Sequence, residues 1–454
     1  MSLMVSISGI RGIVGESLTP EVVVRYASAF AEYCHGGTIV LGRDGRITGS
    51  SVAHIVSSTL LQMGCDVASI GVCPTPTVAL GVEKLRASGG IAVTASHNPI
   101  QWNGLKFIAP NGMFLDSEEN RKFWEIAGKS ERSYRSWEKQ GKHSAAHQLI
   151  DEHIRAVLAI PYLHSEKIRK RRLKVVLDCV NAAGGVIIPR LLREFGCDVV
   201  EMNTDVSGIF AHTPEPVPEN LTGLSSRVVS EKADVGIAVD PDVDRLVFID
   251  ERGVPFVEEY TIASAVKYVL DAEKKLGRAG HSVVVNLSTT RAVDDIAKEY
   301  GATVTRTPVG EINVASRMKV LRSVIGGEGS GGVIFPAVHY GRDAAVGIGL
   351  FLQLLVDFGG KTSELKASLP YYTIVKSKIE LGSLKPEPVL ARLAAQYSKT
   401  EKTNSDDGLK IDFRSSWVHL RKSNTEPIMR VIAEAPTRDE AAALVERFQK
   451  EILS

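Results

Sequence analysis

Three segments of the sequence repeat the same order of elements, and this repeat constrains the fold more than any other feature. Each segment begins with a short β-rich run: TIVLGRD (38–44), KVVLDCVNAAGG (174–185) and SVVVNLSTT (282–290). An amphipathic helical stretch follows each run and ends at Gly64, Gly196 and Gly301, respectively. Glycine readily takes the left-handed backbone that ends a helix. Strand, helix, glycine and strand form a crossover unit, so the repeat predicts three related α/β domains with mixed, largely parallel sheets.

A second apolar strand in each repeat runs into an unusual polar loop: TASHNP (94–99), DPDVDR (240–245) and GEGSGG (327–332). Ligands collect at the carboxyl ends of parallel strands, so three such loops can form one deep site. After about residue 368 the pattern changes to strands and a terminal amphipathic helix capped by Thr437, which indicates a smaller C-terminal α+β domain. The predicted domains are 1–146, 147–253, 254–367 and 368–454, with helical linkers near 147–158 and 256–270.

The composition argues against several classes of protein. The chain has 454 residues, which is too many for one ordinary core. Its 54 Lys and Arg against 53 Asp and Glu give a net charge of +1, which does not suit a dedicated nucleic-acid binder. No apolar stretch approaches the roughly 20 residues that span a bilayer, and no secretory signal is recognised. Five scattered cysteines favour reduced thiols, so we expect a cytoplasmic protein without membrane or nucleic-acid partners.

Three aspartates alternate in the loop DPDVDR. In an extended loop the carboxylates of Asp240, Asp242 and Asp244 can turn toward one ion, and such oxygen ligands suit Mg²⁺. A calcium-binding EF-hand is the competing interpretation, because Glu251 is at the twelfth position from Asp240. However, Arg245 stands where an EF-hand needs glycine, and apolar strands flank the loop. The pattern therefore favours a magnesium site over an EF-hand or a solvated acidic turn.

Ser96 and His97 follow one another directly in TASHNP. Neighbours in sequence rarely form a catalytic pair, and the chain has no G-x-S-x-G elbow around this serine. Ser96 could instead cap a helix, and Asn98 with Pro99 could make a turn. Beside a triply acidic metal site, however, a serine hydroxyl is a suitable carrier of a phosphoryl group, because the cation offsets the repulsion between phosphate and carboxylates.

Two further motifs offer groups that bind phosphates or sugars. RKSNTEPIMR (421–430) combines guanidinium, hydroxyl and amide donors on Arg421, Ser423, Asn424, Thr425 and Arg430. Dense donors with two arginines make a phosphate cradle, whereas an ordinary helix cap would not explain the arginines. GEGSGG places Glu328 and Ser330 among glycines, where a ligand can approach the backbone and a carboxylate beside a hydroxyl suits sugar hydroxyls.

Together, the motifs TASHNP, DPDVDR, GEGSGG and RKSNTEP resemble those of the α-D-phosphohexomutases in order and spacing over nearly the whole chain. This resemblance implies four domains around a central cleft, the first three being related α/β units. It implies an intramolecular phosphotransferase that interconverts hexose 6-phosphate and hexose 1-phosphate through a phosphoserine enzyme and a bisphosphate intermediate. Mg²⁺ is the implied cofactor, hexose 1,6-bisphosphate the implied activator, and a small phosphosugar the implied partner of a monomer or homodimer.

The resemblance also implies roles for particular residues. The phosphoserine is Ser96, and the metal is held by Asp240, Asp242, Asp244 and the phosphoserine. Lys106 and Arg11 match positions that assist proton transfer and charge stabilisation, and His97 is beside the phosphoserine. The substrate-binding positions are Arg245, Glu328, Ser330, Arg421, Ser423, Asn424, Thr425 and Arg430. The run GRDGR (42–46) resembles a family signature with a structural or site-supporting role.

The chain departs from many family members at Gly332, where they have a histidine. The runs HNPIQWNGLKF and GGEGSGGVIFP resemble archaeal-type phosphoglucosamine mutases and their bacterial relatives, which favours glucosamine phosphate as the substrate. Phosphomannomutase or phosphoglucomutase activity is the first alternative. A sugar bisphosphate synthase or phosphatase and a non-catalytic sugar-phosphate-binding protein are the others.

Overall fold

Each of the three predicted repeats folds into the same pattern of four strands. The computed structural model describes residues 3–382, 384–422 and 428–453 of the chain. In each repeat a central strand has a parallel neighbour on both sides, and a fourth strand returns antiparallel beside the third. The prediction of three related α/β domains with mixed, largely parallel sheets is therefore confirmed.

The first repeat adds three strands to the shared four. Its elements are β1 Met4–Ser6, β2 Gly9–Ile13, α1 Pro20–Tyr33, β3 Gly37–Arg43, α2 Gly49–Gln62, β4 Cys65–Val72, α3 Thr75–Leu85, β5 Gly89–Val93, β6 Trp102–Ile108, α4 Ser117–Gly128 and β7 His143–Ala145. The strands lie in the order β1-β2-β6-β5-β3-β4-β7. All residues of β5 and β6 are buried, so the loop between them emerges from the centre of the sheet.

The second and third repeats contain only the shared four strands. The second consists of α5 Gln148–Leu158, α6 Ser165–Arg171, β8 Lys174–Asp178, α7 Gly184–Glu194, β9 Asp198–Met202, α8 Thr222–Glu231, β10 Val235–Val239 and β11 Leu246–Asp250. The third consists of α9 Glu259–Lys275, β12 Ser282–Asn286, α10 Ala292–Glu299, β13 Thr303–Thr307, α11 Glu311–Leu321, β14 Ile325–Glu328, β15 Gly332–Ile334, α12 Ala344–Phe358 and α13 Thr362–Ala367. Their sheet orders, β11-β10-β8-β9 and β13-β12-β14-β15, correspond to each other. Helices α5 and α9 lie where the sequence predicts helical linkers.

The repeated glycines lie at the end of the helix that follows the first shared strand of each repeat, as the sequence predicts. Gly64, Gly196 and Gly301 directly follow the C-cap residues of α2, α7 and α10, and their φ angles are +84°, +71° and +64°. This left-handed backbone is costly for a residue with a Cβ atom. Glycine therefore allows the chain to reverse into the next parallel strand.

The C-terminal unit is an α+β structure around an antiparallel sheet. Its elements are β16 Thr373–Glu380, α14 Pro386–Tyr397, β17 Lys402–Asn404, β18 Leu409–Asp412, β19 Trp417–Lys422, β20 Ile428–Ala435 and α15 Arg438–Leu453. The strands lie in the order β16-β20-β19-β18-β17. Thr437 Oγ1 accepts a hydrogen bond from the backbone N–H of Glu440 over 3.3 Å, which confirms the predicted cap of the last helix. The sequence gives no prediction for α14, β17 and β20.

Apolar packing divides the molecule differently from the sheets. One hydrophobic core contains buried residues of all three repeats, including Val78 of α3, Ile237 of β10 and Phe351 of α12. The C-terminal unit has a separate core that includes Val418 of β19 and Phe448 of α15. Within residues 3–382, 384–422 and 428–453, no helix combines the length and hydrophobicity needed to cross a membrane.

Candidate active site

The three polar loops occupy the same place in the three repeats. Each connects the third shared strand to its antiparallel neighbour: β5 to β6, β10 to β11, and β14 to β15. Ser96 Oγ donates a hydrogen bond to Asp240 Oδ2 over 3.0 Å, which joins the first loop to the second. The guanidinium of Arg342 contacts both Asp244 and Glu328, which joins the second loop to the third. The fold therefore brings the loops of all three repeats into one cluster.

Ser96 is held in a strained and buried conformation at the end of β5. Its φ angle is +51°, in the left-handed region that costs a residue with a side chain about 1–2 kcal/mol. Its side chain is almost inaccessible, and its backbone N–H donates to Thr94 Oγ1 over 2.9 Å. Such strain persists only where the surroundings over-determine the conformation, and it is typical of functional sites.

A fully buried ion pair from the run GRDGR supports the serine loop. Arg46 donates hydrogen bonds to the carbonyl oxygens of Ser96, Asn98, Pro99 and Trp102 at 2.5, 2.6, 2.7 and 2.9 Å, respectively. Asp44 accepts from Arg46 Nε over 3.1 Å and from Thr94 Oγ1 over 2.7 Å. The resemblance implies a supporting role for this run, and the contacts provide one: the guanidinium fixes the backbone that presents Ser96.

Asp240 uses both carboxylate oxygens to organise the acidic loop. Its Oδ1 accepts the backbone N–H groups of Asp244 and Arg245 at 3.0 and 3.1 Å, which closes the turn between β10 and β11. Its Oδ2 accepts from Ser96 Oγ. The carboxylate therefore orients the loop with one oxygen and meets the serine hydroxyl with the other.

Asp242 and Asp244 each engage one oxygen with neighbouring donors. Asp242 Oδ2 accepts from Thr75 Oγ1 over 2.6 Å and from Lys106 Nζ over 2.7 Å. Asp244 Oδ2 accepts from Lys106 Nζ over 3.1 Å and from Arg342 Nη2 over 2.7 Å. Among the described residues the other oxygen, Oδ1, of each of the two carboxylates is buried without a hydrogen-bond partner.

These unpartnered oxygens fit a hard divalent cation. One oxygen of each of Asp240, Asp242 and Asp244 lies within 4.8 Å of the other two, and all three residues are buried. Buried carboxylate oxygens without donors are costly unless a cation compensates them. The flanking elements are strands β10 and β11, and both oxygens of Glu251 are engaged by Ser363, so the loop is not an EF-hand.

The charges of the cluster are strongly coupled. Burial and the neighbouring carboxylates of Asp244 and Asp242 raise the pKa of Asp240 well above its ordinary value. Burial acts against ionisation of Asp244 as well, but Arg342 and Lys106 outweigh it and lower the pKa of Asp244. Burial also disfavours the charged Lys106, yet Asp242 and Asp244 raise its pKa. Lys106 is therefore an ammonium ion at neutral pH.

Arg11 and His97 surround the serine loop on its solvent side. Arg11 Nη1 donates to Asn98 Oδ1 over 2.9 Å, and His97 Nδ1 lies 3.3 Å from Ser96 Oγ. Burial and the guanidinium groups of Arg245 and Arg11 lower the pKa of His97 well below its ordinary value. His97 is therefore a neutral imidazole beside the hydroxyl.

Arg245, at the end of the acidic loop, lies close to His97. Its Nη1 lies 3.3 Å from Glu215 Oε1, and His97 Nε2 lies 3.8 Å from the same oxygen. The Nε of Arg245 is buried and has no hydrogen-bond partner among the described residues. A buried guanidinium nitrogen without an acceptor suits an anionic ligand.

The third loop holds Glu328 in a fixed orientation. Its Oε1 accepts from Asn286 Nδ2 over 2.8 Å and from the backbone N–H of Gly310 over 2.9 Å. Its Oε2 accepts from Arg342 Nη1 over 2.8 Å. Ser330 lies in the turn that follows, and it is partly exposed. The carboxylate predicted to grip the sugar is thus oriented by the protein before any ligand binds.

The two predicted phosphate-binding arginines face each other across neighbouring strands. Arg421 of β19 and Arg430 of β20 are directly paired in the antiparallel register. Like charges in this position are destabilising, which an anion between them would relieve. Asp407 Oδ2 accepts from Arg421 Nε over 2.7 Å and from the backbone N–H of Val309 over 2.9 Å, so Arg421 lies near the connection between β13 and α11. The predicted binding residues Ser423, Asn424 and Thr425 lie outside the described residues.

Sequence reasoning missed several residues that contact the predicted site. Thr75 begins α3, Asn286 ends β12, Glu311 begins α11 and Arg342 precedes α12. Thr75 and Asn286 come at the carboxyl ends of strands or at the loops that follow them, which is a signal that could have found them. Glu311 and Arg342 form an ion pair at 3.0 Å between two separate elements, and no local motif reveals it.

Comparison with known families matches every domain. Models of the phosphoglucomutase/phosphomannomutase alpha/beta/alpha domains I, II and III match residues 4–133, 151–253 and 258–372. The model of the C-terminal domain of the same family matches residues 377–451.

Two archaeal relatives and one solved structure show the extent of the similarity. A protein of Methanopyrus kandleri named "Probable phosphoglucosamine mutase" is 35% identical over 97% of this chain and 96% of its own length. A "Phosphoglucomutase/phosphomannomutase" of Thermococcus kodakarensis is 37% identical over 96% of both chains. The crystal structure of a phosphoglucomutase/phosphomannomutase family protein of Burkholderia thailandensis has a TM-score of 0.85 at 24% identity, and the match covers 99% of this chain and 98% of that chain. The structural likeness concerns the fold.

Proposed function

Since this chain belongs to the phosphoglucomutase/phosphomannomutase family and is a phosphohexomutase, we propose that it transfers phosphoryl groups through Ser96 and prefers glucosamine phosphate. The observation that carries the proposal is the contact between Ser96 Oγ and Asp240 Oδ2, 3.0 Å apart, in a cluster where Oδ1 of Asp242 and Oδ1 of Asp244 have no hydrogen-bond partner among the described residues. A serine that was merely a helix cap would not need to donate to a member of a buried acidic cluster.

The reaction consists of two phosphoryl transfers in opposite directions. In the first, the bond between phosphorus and the Ser96 oxygen breaks as a bond to the free hydroxyl of a hexose monophosphate forms. The hydroxyl loses its proton and the serine oxygen takes one up, so a hexose 1,6-bisphosphate and unmodified Ser96 result. The bisphosphate then turns within the cleft, and its other phosphate returns to Ser96. A hexose 1,6-bisphosphate added from outside would rephosphorylate an enzyme that had lost its phosphate.

Asp240, Asp242 and Asp244 would hold Mg²⁺ together with the phosphate on Ser96. When bound, this cation withdraws charge from the serine oxygen and from the transferring phosphoryl group. Neighbouring donors determine which carboxylate oxygens are free to bind the cation. Thr75 and Lys106 keep one oxygen of Asp242 occupied, which leaves the other for the cation.

Lys106 and its neighbours supply protons and positive charge. Because Lys106 is an ammonium ion, it suits the acid that protonates the departing Ser96 oxygen. Arg11 suits the stabiliser of the transferring charge, since it contacts the serine loop at Asn98. His97 is neutral and can accept or donate one hydrogen bond without adding charge.

We assign the binding of the phosphate that is not transferred to the C-terminal unit. Arg421 and Arg430 provide paired guanidinium groups, and the motif that includes Ser423, Asn424 and Thr425 would complete the cradle. The same cradle must accept either phosphate of the turning bisphosphate. A cradle carried on a separate unit with its own core suits this requirement, because the unit can open and close.

The choice of sugar rests on narrower support. The archaeal relative from Methanopyrus and the runs HNPIQWNGLKF and GGEGSGGVIFP favour glucosamine phosphate. The relative from Thermococcus supports glucose and mannose phosphates as the alternative. Glu328 and Ser330 are the proposed contacts to the sugar hydroxyls. We further place the enzyme in the cytoplasm, for which the support is five cysteines that are all unpaired.

A comparison of substrates and serine variants tests the proposal. The protein is assayed with glucosamine 6-phosphate, mannose 1-phosphate and glucose 1-phosphate, with Mg²⁺ and a trace of bisphosphate. We expect the highest kcat/KM for glucosamine 6-phosphate and a phosphate on Ser96 by mass spectrometry. Ser96→Ala should lose at least about 10³-fold in kcat, as expected for a missing nucleophile. The control Ser58→Ala changes an exposed serine of α2 and should leave kcat unchanged.

Each part of the proposal can fail separately. Full turnover by Ser96→Ala would exclude the phosphoserine. Release of inorganic phosphate without isomerisation would favour the phosphatase alternative. A higher kcat/KM for mannose or glucose phosphate would overturn the proposed preference while leaving the mutase mechanism intact.

A further inference from the structure

Arg342 is a largely buried cation that lies outside every sequence motif of the site. Its side chain is 11% exposed. Nη2 donates to Asp244 over 2.7 Å, Nη1 donates to Glu328 over 2.8 Å, and Nε donates to Glu311 over 3.0 Å. One guanidinium thus holds the acidic loop of the second repeat, the sugar loop of the third repeat and the start of α11.

The backbone around Arg342 is held by further contacts besides those of the guanidinium. The N–H of Arg342 donates to Glu311 Oε1 over 3.0 Å. The next residue, Asp343, caps α12 by accepting the N–H groups of Ala345 and Val346 at 2.8 and 3.3 Å. A rigid planar side chain on a fixed backbone can transmit the position of one loop to the other.

Gly332 provides the space that Arg342 occupies. A Cβ atom at position 332 would stand 2.2 Å from Arg342 Cδ and 2.9 Å from Arg342 Cγ, which is closer than atoms can approach. The backbone of Gly332 is not among the glycines with a positive φ angle, so its conformation does not require glycine. The glycine is required by the arginine. Gly332 and Arg342 are therefore a matched pair in this chain.

We propose that Arg342 is a positioning residue that couples the metal loop to the sugar loop. Glycine is required at position 332 because a side chain there would clash with Arg342. The inference rests on the proposed function, because it concerns the alignment of the same phosphoryl transfer. By binding Oδ2 of Asp244, Arg342 leaves Oδ1 of that carboxylate without a hydrogen-bond partner among the described residues. By binding Oε2 of Glu328, it fixes the carboxylate proposed to grip the sugar. The two contacts together would fix the position of the sugar hydroxyl relative to the phosphoryl group.

Kinetics of Arg342 variants test the coupling. Arg342→Met removes the fork and the charge, and we expect kcat to fall about 10²-fold with a much smaller change in KM, because a misaligned reaction loses rate rather than substrate binding. Arg342→Lys keeps the charge but cannot contact three carboxylates in one plane, so it should recover only part of the loss. The control Arg252→Met changes an arginine of the second repeat that is 62% exposed and should leave both constants unchanged.

A double-mutant cycle on metal-free protein gives a readout besides activity. Gly332→Ala forces a methyl group into the space of Arg342, so it should lower the midpoint of thermal unfolding. In the background of Arg342→Ala the same substitution finds room and should leave the midpoint unchanged. The cycle uses small residues only and does not depend on Arg342→Met being stable.

The outcomes separate this inference from the proposed function. Mutase activity in the parent protein together with a kcat of Arg342→Met equal to that of the control would overturn the coupling role. Equal effects of Gly332→Ala in both backgrounds would overturn the matched pair. A parent protein without mutase activity, or full activity in Ser96→Ala, would instead contradict the proposed function.

Discussion

The molecule has two parts: a body formed by the three repeats, and the C-terminal unit that begins at β16. The interactions within the body differ from those that attach the C-terminal unit to it. Within the body, one hydrophobic core runs through all three repeats, and the first repeat has a further core of its own. Buried ion pairs join Lys106 of β6 and Arg342 to the acidic loop. The C-terminal unit has its own core, and many of its contacts to the body are polar. These contacts link His419 to Ser288, Glu434 to Arg291, Asp407 to Val309, and Lys376 to Glu258 and Glu259.

This difference corresponds to the two tasks of the reaction. Phosphoryl transfer needs a nucleophile, carboxylates and cations that hold their places to within a fraction of an ångström. The proposed phosphate cradle would instead have to receive either end of a turning bisphosphate. Polar contacts between units with separate cores are typical of domains that move relative to each other. We therefore expect a rigid body that does chemistry and a C-terminal unit that opens as one piece.

Loss of the ion pair below the serine loop should have the largest effect on the body. Arg46→Met leaves Asp44 buried without its cation and leaves four carbonyl oxygens without their donor. We expect the free energy of unfolding to fall by about 3–5 kcal/mol and the kcat to fall with it. Denaturation in guanidinium chloride measures the loss. The control Arg227→Met removes an exposed pair with Glu231 and should change stability by less than about 1 kcal/mol.

If Arg46→Met lowered the free energy of unfolding no more than Arg227→Met, the conformation of the serine loop would not depend on the buried ion pair. The rigidity of the body would then not depend on its buried charges.

Two matched truncations should separate the two cores. Phe351 stacks on Phe248 with ring centroids 3.6 Å apart in the body, and Phe448 lies 5.3 Å from Tyr397 in the C-terminal unit. Each change to alanine should cost about 3–5 kcal/mol. Hydrogen exchange followed by mass spectrometry of peptides assigns the loss. Phe448→Ala should raise exchange only from β16 to α15, and Phe351→Ala should raise it in peptides of all three repeats.

Equal loss of protection in both regions after Phe448→Ala would contradict the separation of the cores. It would indicate one cooperative unit, and the opening of the C-terminal unit would have to be abandoned.

The sequence predicts the repeated parts of this molecule far better than the contacts between them. The three crossover units, the glycines that end their helices and the polar loops follow from local patterns, because a strand, a helix and a turn are each determined by a few consecutive residues. Strand β20 was missed because its apolar residues adjoin the motif that ends in Pro427, which obscures its start.

The supporting contacts of the site depend on residues distant in sequence. The Arg46 side chain reaches residues 50 to 56 positions later, and Arg342 reaches Asp244 98 positions earlier. Such pairings are set by how the sheets pack, and periodicity carries no information about them. The three polar loops could be located from the sequence, whereas most of the residues that hold these loops in place could not.

The smallest expected effect concerns pH and the C-terminal unit. His419 Nε2 donates to the carbonyl oxygen of Asp407 over 2.7 Å, and in the neutral ring Nδ1 accepts from Ser288 Oγ over 2.8 Å. Burial lowers the pKa of His419 to about 4, against the opposing effect of Asp407 and with a further lowering by Lys410 and Arg421. Because the unfolded imidazole takes up a proton below about pH 6.5, stability is lost as the pH falls from about 6.5 toward 4.

Acidification should therefore weaken the C-terminal unit through His419. Between pH 7 and pH 5 we expect its free energy of unfolding to fall by about 2 kcal/mol more than in His419→Gln, whose amide can keep both hydrogen bonds without titrating. Fluorescence of the buried Trp417 during denaturation measures the change, and the control His54→Gln alters an exposed histidine of α2. The same pH slope in parent and His419→Gln would contradict the assignment. A pH slope in the C-terminal unit that is absent from His419→Gln would mean that the contact of this unit with Ser288 titrates with His419.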